Sequence, residues 1–441
     1  MVATTAIAQD VLPGAADLSH LRGTLATWSP DACAFVIAVV NGDMPTVLYH
    51  GNDTNGKPVR PQTYTPVGSL ARLLVADALD VKFHGKLDVP AGATVAGKKP
   101  SALDLLLGGH SDANLLPDYW DWRSDSPPVT TTTILACADV AAEAGVTFGV
   151  DRAGMSDLML LEPFVLQGEG KDWPEFLRAT LSPPVSGFDP RDAALVSDDE
   201  WATLSVSSTI AKHAKPAPLR LMITAKDLAN WWQWRIQKPM PLWSGFRMGS
   251  HGKARRRDEI ETWEFEDFGN RPVKTLAVAY PQQRSGILCV SVGPPKWIPG
   301  QDDALAGAFE ADLFGEVEEP AQQALGGRLG MRGANAPLED WVGKTWVASD
   351  ASRPCVIRVE NATHRGLRLE FGGQTIPSVQ ALPEGNAMRV VMGIDNLHGG
   401  VLWMCPHTNV GQPESLVAVF VEWNAVSTVP HLLRLVAKDD K

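Results

Sequence analysis

Thr63-Tyr64-Thr65-Pro66-Val67-Gly68-Ser69-Leu70-Ala71-Arg72 is the stretch from which the rest of the chain can be read. Past Gly68, apolar residues recur at helical spacing (Leu70, Leu73, Leu74, Ala78, Val81) as far as Phe83. Gly85 then suits the left-handed residue that closes a helix. Ser69 is therefore expected at the N-terminus of a buried helix, where backbone N–H groups lack helical partners and the dipole end is positive. Such a place favours a nucleophile or a bound anion. It equally suits a serine that only caps its helix.

Upstream, residues 34–40 (Ala-Phe-Val-Ile-Ala-Val-Val) read as a buried strand, Asn41-Gly42 as a turn, and Thr46 to His50 as the returning strand. Downstream, Leu103 to Leu107 is a short apolar segment ending at Gly108-Gly109-His110-Ser111. Helices are expected over Ile134–Ala144, Asp157–Leu166, Trp173–Leu181 and Thr224–Gln237, the last with Thr224 as N-cap. Leu276–Tyr280 and Gly286–Val292 read as paired strands that complete a sheet. From about Glu316 to Pro337 the composition turns to Glu, Pro, Gly, Ala and Gln, as in a linker. Beyond it, seven short apolar segments separated by turn residues lie at 346–348, 355–359, 367–371, 388–392, 401–404, 416–422 and 432–436. They predict a small antiparallel barrel or sandwich. The expected division is a main α/β (α+β) domain over 1–315, a linker over 316–337 and a small all-β domain over 338–441.

Composition narrows the function. A formal charge of -12 argues against nucleic acid as a partner, since phosphate contacts need a basic surface. The 15 tryptophans fill a core or line a pocket. The five cysteines (Cys33, Cys137, Cys289, Cys355, Cys405) are scattered, which suggests neither a zinc site nor a disulfide framework. No metal or organic cofactor is expected. No stretch is apolar enough to span a membrane, and Met1 to Gly14 lacks the basic and apolar regions of a secretory signal, so a cytoplasmic location is expected.

Four stretches, taken in order, resemble the serine β-lactamase and penicillin-binding-protein superfamily. The segment Thr63–Arg72 is similar to the one bearing its Ser-x-x-Lys, and the helix ends in His84-Gly85-Lys86-Leu87-Asp88, another family habit. Leu105-Leu106-Leu107-Gly108-Gly109-His110-Ser111 resembles a stretch of the esterase-like branch. Phe148-Gly149-Val150-Asp151-Arg152-Ala153-Gly154 stands in the place of the Tyr-x-Asn loop. Ile223–Ala229 precedes Gly249-Ser250-His251-Gly252, where the family has its Lys- or His-x-Gly strand. The resemblance implies a central antiparallel sheet flanked by helices. It also implies acyl-transfer chemistry in a cleft and, in some members, a C-terminal lipocalin-like barrel.

The residues that carry family chemistry depart from the pattern. Ser69 is present, but Arg72 stands where the lysine base would be, and a guanidinium stays protonated. It can still stabilise an anion, and its planar fork suits a carboxylate or phosphate. Val150 and Arg152 stand in place of the Tyr and Asn, with Asp151 between them as a candidate counter-ion. His251 matches the histidine-bearing branch, but Lys253 replaces the glycine that lets substrate approach the strand. The run Lys253-Ala254-Arg255-Arg256-Arg257 reads first as a solvated loop and second as an anion-attracting patch. His110 reads first as a loop histidine and second as a base. Trp231, with Trp232 and Trp234 on the same helix, is core or a cleft wall, and Tyr64 is a candidate replacement for the missing phenol.

Three functions follow as expectations. The first is a small-molecule biosynthetic enzyme with a repurposed cleft, in which Arg72, Arg152 and His251 bind an acidic or carbonyl substrate. That substrate is either free or linked to a carrier protein or coenzyme A, and it undergoes noncovalent cyclisation, rearrangement or condensation. The second is acyl transfer through Ser69, as an esterase, transacylase or peptide cyclase. The third is a non-catalytic binding scaffold.

Overall fold

A computed structural model describes residues 8–10, 18–27, 34–41, 44–52, 58–60, 63–91, 94–95, 97–107, 130–146, 155–166, 172–192, 220–238, 252–257, 260–266, 273–292, 301–314, 341–348, 353–363, 365–384, 387–393, 399–407, 415–423 and 427–438. By their contacts they form two units, one from residues up to Leu87 and from Leu166 to Gly330, the other from Asp88–Val165 and Met331 onward.

The first unit is built on a seven-stranded sheet in the order β1-β3-β2-β10-β9-β8-β7. Its members are β1 (Ala8–Asp10), β2 (Ala34–Asn41), β3 (Met44–His50), β7 (Gly252–Arg257), β8 (Ile260–Glu266), β9 (Val273–Tyr280) and β10 (Ser285–Val292). Every neighbour is antiparallel, and β10 lies between β2 and β9 across its whole length. These central strands are continuous apolar runs because both faces are covered. On one face Ile37, Val39, Leu48, Val278 and Ile287 share a core with α1 (Ser19–Ala26) and with the helix Gln301–Phe314. On the other lies the helix Ala225–Ile236, packed on β2, β3 and β10. Gly286 permits that close approach, because a Cβ there would sit 2.6 Å from Ile236 Cδ1 and 2.7 Å from the Val278 carbonyl.

The basic run expected as a loop forms the edge strand β7, whose register puts Lys253 opposite Glu264 and Arg256 opposite Glu261. Charged sequence on a sheet edge discourages pairing with other chains.

Helix α2 (Ala71–Phe83) is buried from Ala71 to Leu79. A helix with apolar residues on most of its sides belongs inside, and α2 packs on α6 (Trp173–Leu181). The helix 225–236 begins as expected, the Thr224 hydroxyl accepting the Asp227 N–H at 3.2 Å.

The second unit contains a closed antiparallel barrel of strands β11 to β18 in sequence order. They are β11 (Thr345–Ala348), β12 (Cys355–Val359), β13 (Leu367–Phe371), β14 (Gln374–Glu384), β15 (Ala387–Gly393), β16 (Gly399–His407), β17 (Ser415–Trp423) and β18 (Thr428–Ala437). Its interior is packed with side chains, among them Trp346, Leu369, Phe371, Met392, Phe420 and Leu435. The unit also holds α3 (Ala102–Leu107), α4 (Thr131–Ala144) and α5 (Met155–Leu166). The expected linker over 316–337 lies outside the described residues.

Candidate functional site

The approach to Ser69 is assembled from three short pieces. Strand β4 (Tyr64–Pro66) pairs with β6 (Leu221–Thr224), which in turn pairs with β5 (Arg191–Asp192). β4 is an edge strand, so Pro66 costs no ladder hydrogen bond. The Thr65 hydroxyl donates to the Ile223 carbonyl at 3.1 Å, and the Val67 N–H to the Leu221 carbonyl at 3.1 Å. Gly68 then turns with φ +54°, a conformation that favours glycine. Residues Gly68–Leu70 make a 3-10 turn packed against β9, and α2 follows at once. Ser69 thus lies on a strand–turn–helix junction, as the sequence leads one to expect. Its side chain lies outside the described set.

Arg72 sits in the first turn of α2 and is 1% exposed. Deeper along the same helix, Asp77 accepts the indole N–H of Trp231 at 3.0 Å and pairs with Arg235 Nε at 3.0 Å. Trp231 and Arg235 are one helical turn apart on 225–236, so one helix face delivers both to one carboxylate. All three are buried. Burial pushes the Asp77 carboxyl up to about 6, against the opposing pull of Arg235 and the Trp231 hydrogen bond. Trp231, considered from the sequence for a cleft wall, has no exposed surface, and its indole joins the helix 225–236 to α2. Asp77 and Arg235 were missed in the sequence. The signal that marks them is an aspartate in the middle of the run Leu73–Leu79, matched by a Trp-x-x-x-Arg spacing.

Tyr64 is buried, with the Arg191 guanidinium 4.8 Å from its ring centroid. Arg191 reaches Asp189 at 3.4 Å, and Arg220 reaches Asp192 at 2.8 Å, so β5 is bound on both sides by ion pairs. Lys253 is on the edge strand β7, two strands from β9, against which the Ser69 turn packs. His110, Asp151, Arg152 and His251 lie outside the described residues, as does Val150. The structure therefore brings Ser69 and Arg72 onto one turn of chain and gives Tyr64 and Trp231 packed positions of their own.

Elsewhere in this unit, the outer side of helix 225–236 and residues 184–187 enclose a hollow of about 410 Å3 lined by Lys226, Asp227, Asn230, Gln233 and Trp234. Burial raises the Asp227 carboxyl, and the Thr224 hydrogen bond opposes it. Cys137, Cys289, Cys355 and Cys405 are buried, and burial pushes the thiols of Cys137 and Cys355 up to about 12, so neither of those two is a nucleophile at neutral pH. Among the described residues no group of three or more His, Cys, Asp or Glu is placed to hold a metal, and no helix is long and apolar enough to cross a membrane.

No protein-family model matches the chain, and no curated protein matches it. Solved structures do. An octameric penicillin-binding protein homologue from Pyrococcus abyssi is similar at a TM-score of 0.50 and 13% identity, covering 96% of this chain and 100% of that one. SurE with D-Leu is similar at a TM-score of 0.46 and 13% identity, over 91% and 96% of the two chains. A β-lactamase/D-alanine carboxypeptidase from Yersinia pestis complexed with citrate gives 0.45 and 13%, over 67% and 99%. The likeness to the Pyrococcus abyssi protein, at that identity, speaks to fold, and the sheet, helices and barrel described above agree with it. The chain shares the fold of that penicillin-binding protein homologue, and its C-terminal part is a closed β-barrel.

Proposed function

We propose that this is a small-molecule biosynthetic enzyme on a β-lactamase-like fold whose cleft works without an acyl-serine. The observation that supports this reading is Arg72, enclosed in the first turn of α2 and three residues after Ser69. A proton acceptor is needed there for serine acylation, and arginine does not release its proton. A fixed cation at that place favours an anionic or carbonyl-bearing group instead. The substrate is acidic or carbonyl-bearing, free or linked to a carrier protein or coenzyme A. The reaction is a cyclisation, rearrangement or condensation in which Asp151 or His251 moves the proton and Arg152 adds a second cation.

Intact-protein mass spectrometry after exposure to a fluorophosphonate, a penicillin and an activated thioester tests this, with Ser69→Ala as control. The expected result is no Ser69-dependent mass increase with any probe. Turnover found in source lysate is expected to survive Ser69→Ala and to be lost in Arg72→Ala and Arg152→Ala. A Ser69-dependent adduct would replace this reading with acyl transfer, which the glycine-turned, helix-opening position of Ser69 favours.

A further inference from the structure

The hollow between the helix 225–236 and residues 184–187 lies wholly within the first unit. On the helix, Lys226, Asn230, Gln233 and Gln237 follow one another at steps of three or four residues, so they share one side, with Trp234 beside them. Trp231 and Arg235, which reach Asp77, occupy another side of the same helix. The hollow therefore opens on a face that the contact with α2 does not use.

Its walls are held in place by the chain itself. Asn230 Nδ2 donates to the Ser186 carbonyl at 3.2 Å, which ties the helix to the facing segment. Asp227 is 7% exposed, and its carboxyl takes hydrogen bonds from the Thr224 side chain and the Asp189 backbone. A carboxylate has about four lone-pair sites, so two bonds leave it able to accept more. Trp234 is half-buried, and the Lys238 ammonium, 3.9 Å from its ring centroid, braces it from outside the lining.

The lining decides the class of ligand. It holds one cation, Lys226, and one anion, Asp227, so it has no excess charge to select a phosphate or a polyamine. It is too rich in carboxamide and backbone groups for an acyl chain. Its volume, about 410 Å3, falls among small-molecule pockets, roughly 300–1,000 Å3. A neutral ligand with a flat C–H face and a rim of hydroxyls fits these features. A sugar ring lays such a face on an indole, and its neighbouring hydroxyls, each donor and acceptor, match carboxamides that present N–H and C=O side by side.

We propose that this hollow binds a neutral saccharide of one or two rings, stacked on Trp234 and hydrogen-bonded by Asn230, Gln233, Gln237 and the Asp227 carboxylate. The site is separate from the Ser69 turn and does not rest on the reaction proposed there.

Calorimetric titration and saturation-transfer NMR of the full chain test it, with maltose, cellobiose and N,N′-diacetylchitobiose as probes and spermidine and citrate as charged competitors. At least one disaccharide is expected to bind at a single site, equally at low and high salt, because the ligand is neutral. Trp234→Ala is expected to weaken that binding about tenfold, the loss of one aromatic contact. Gln237→Ala, at an exposed position, is expected to weaken it several-fold with Tm unchanged. If Trp234→Ala lowers the Tm, Gln237→Ala decides. Three results would each overturn the proposal: no binding of any disaccharide, binding unchanged in Gln237→Ala and in a folded Trp234→Ala, or salt-sensitive binding of spermidine or citrate that these variants abolish.

Discussion

At the scale of the residue, the buried carboxylate of Asp77 holds α2 to the helix 225–236. A charge taken out of water is tolerated only when paired and hydrogen-bonded, and Arg235 and Trp231 supply both conditions. Asp77→Asn keeps a group for Trp231 to bond but withdraws the charge that faces the buried Arg235 guanidinium. The expected loss is about 3–5 kcal/mol, the usual cost of removing one partner of a buried pair, measured by denaturant unfolding at pH 7. Replacing both partners, as in Asp77→Asn with Arg235→Met, is expected to restore much of it. Gly68→Ala acts differently: it forces a side chain onto a backbone at φ +54° and is expected to cost about 1–2 kcal/mol. None of this was legible in Ser69 and Arg72 alone, because sequence motifs single out residues that can do chemistry and pass over those that hold them.

At the scale of the element, a helix end can be capped from far away in sequence. α1 has Leu18 at its N-cap, with no side-chain cap. Asp312, on the helix 301–314, provides one: Oδ1 accepts the His20 N–H at 2.8 Å and Oδ2 the Leu21 N–H at 3.0 Å. Asp312→Ala is expected to cost about 1–2 kcal/mol, seen as a lower Tm and as faster exchange in α1. Gly286→Ala brings a methyl into Ile236 and the β9 backbone, and is expected to cost about 1–3 kcal/mol by pushing the helix 225–236 off the sheet. Local signals found the elements that carry them. The helices over 173–181 and 225–236 and seven barrel strands stand within a few residues of where periodicity and caps put them. β14 was missed because Pro377 and Pro383 interrupt its pattern, and the sheet accommodates that strand with a register shift between Ser378 and Gln380. β8 was missed, and of β7 the family resemblance placed only the start at Gly252, because the basic run Lys253–Arg257 reads as a loop until the strand it pairs with is known. The short apolar segment at 103–107 is a helix, a distinction periodicity cannot make at that length.

At the scale of the whole molecule, each unit carries a titrating group whose pKa burial shifts, one buried and one half-buried, with opposite effects on stability. In the barrel, His431 Nε2 lies 2.9 Å from Glu422 Oε2, with Phe371 and Phe420 against its ring and Arg353 Nη1 3.5 Å from the same carboxylate oxygen. Burial lowers its pKa from 6.5, Glu422 opposes the shift and Arg353 adds to it. The folded barrel therefore binds this proton less readily than the unfolded chain, and His431 costs stability as pH falls below about 6.5. Asp77 does the reverse. Its pKa is raised from 3.8 to about 6, so the folded unit takes the proton first, and its contribution grows as pH falls from about 6 towards 3.8. Thermal unfolding of full-length variants at pH 7 and pH 5 separates the two. His431→Gln is expected to lose less Tm between these pH values than the wild type, and Asp77→Asn to lose more. Glu422→Gln, which removes the group opposing the His431 shift, is expected to steepen the acid loss. If both His431→Gln and Asp77→Asn move in the same direction, one of the two pKa shifts has the opposite sign.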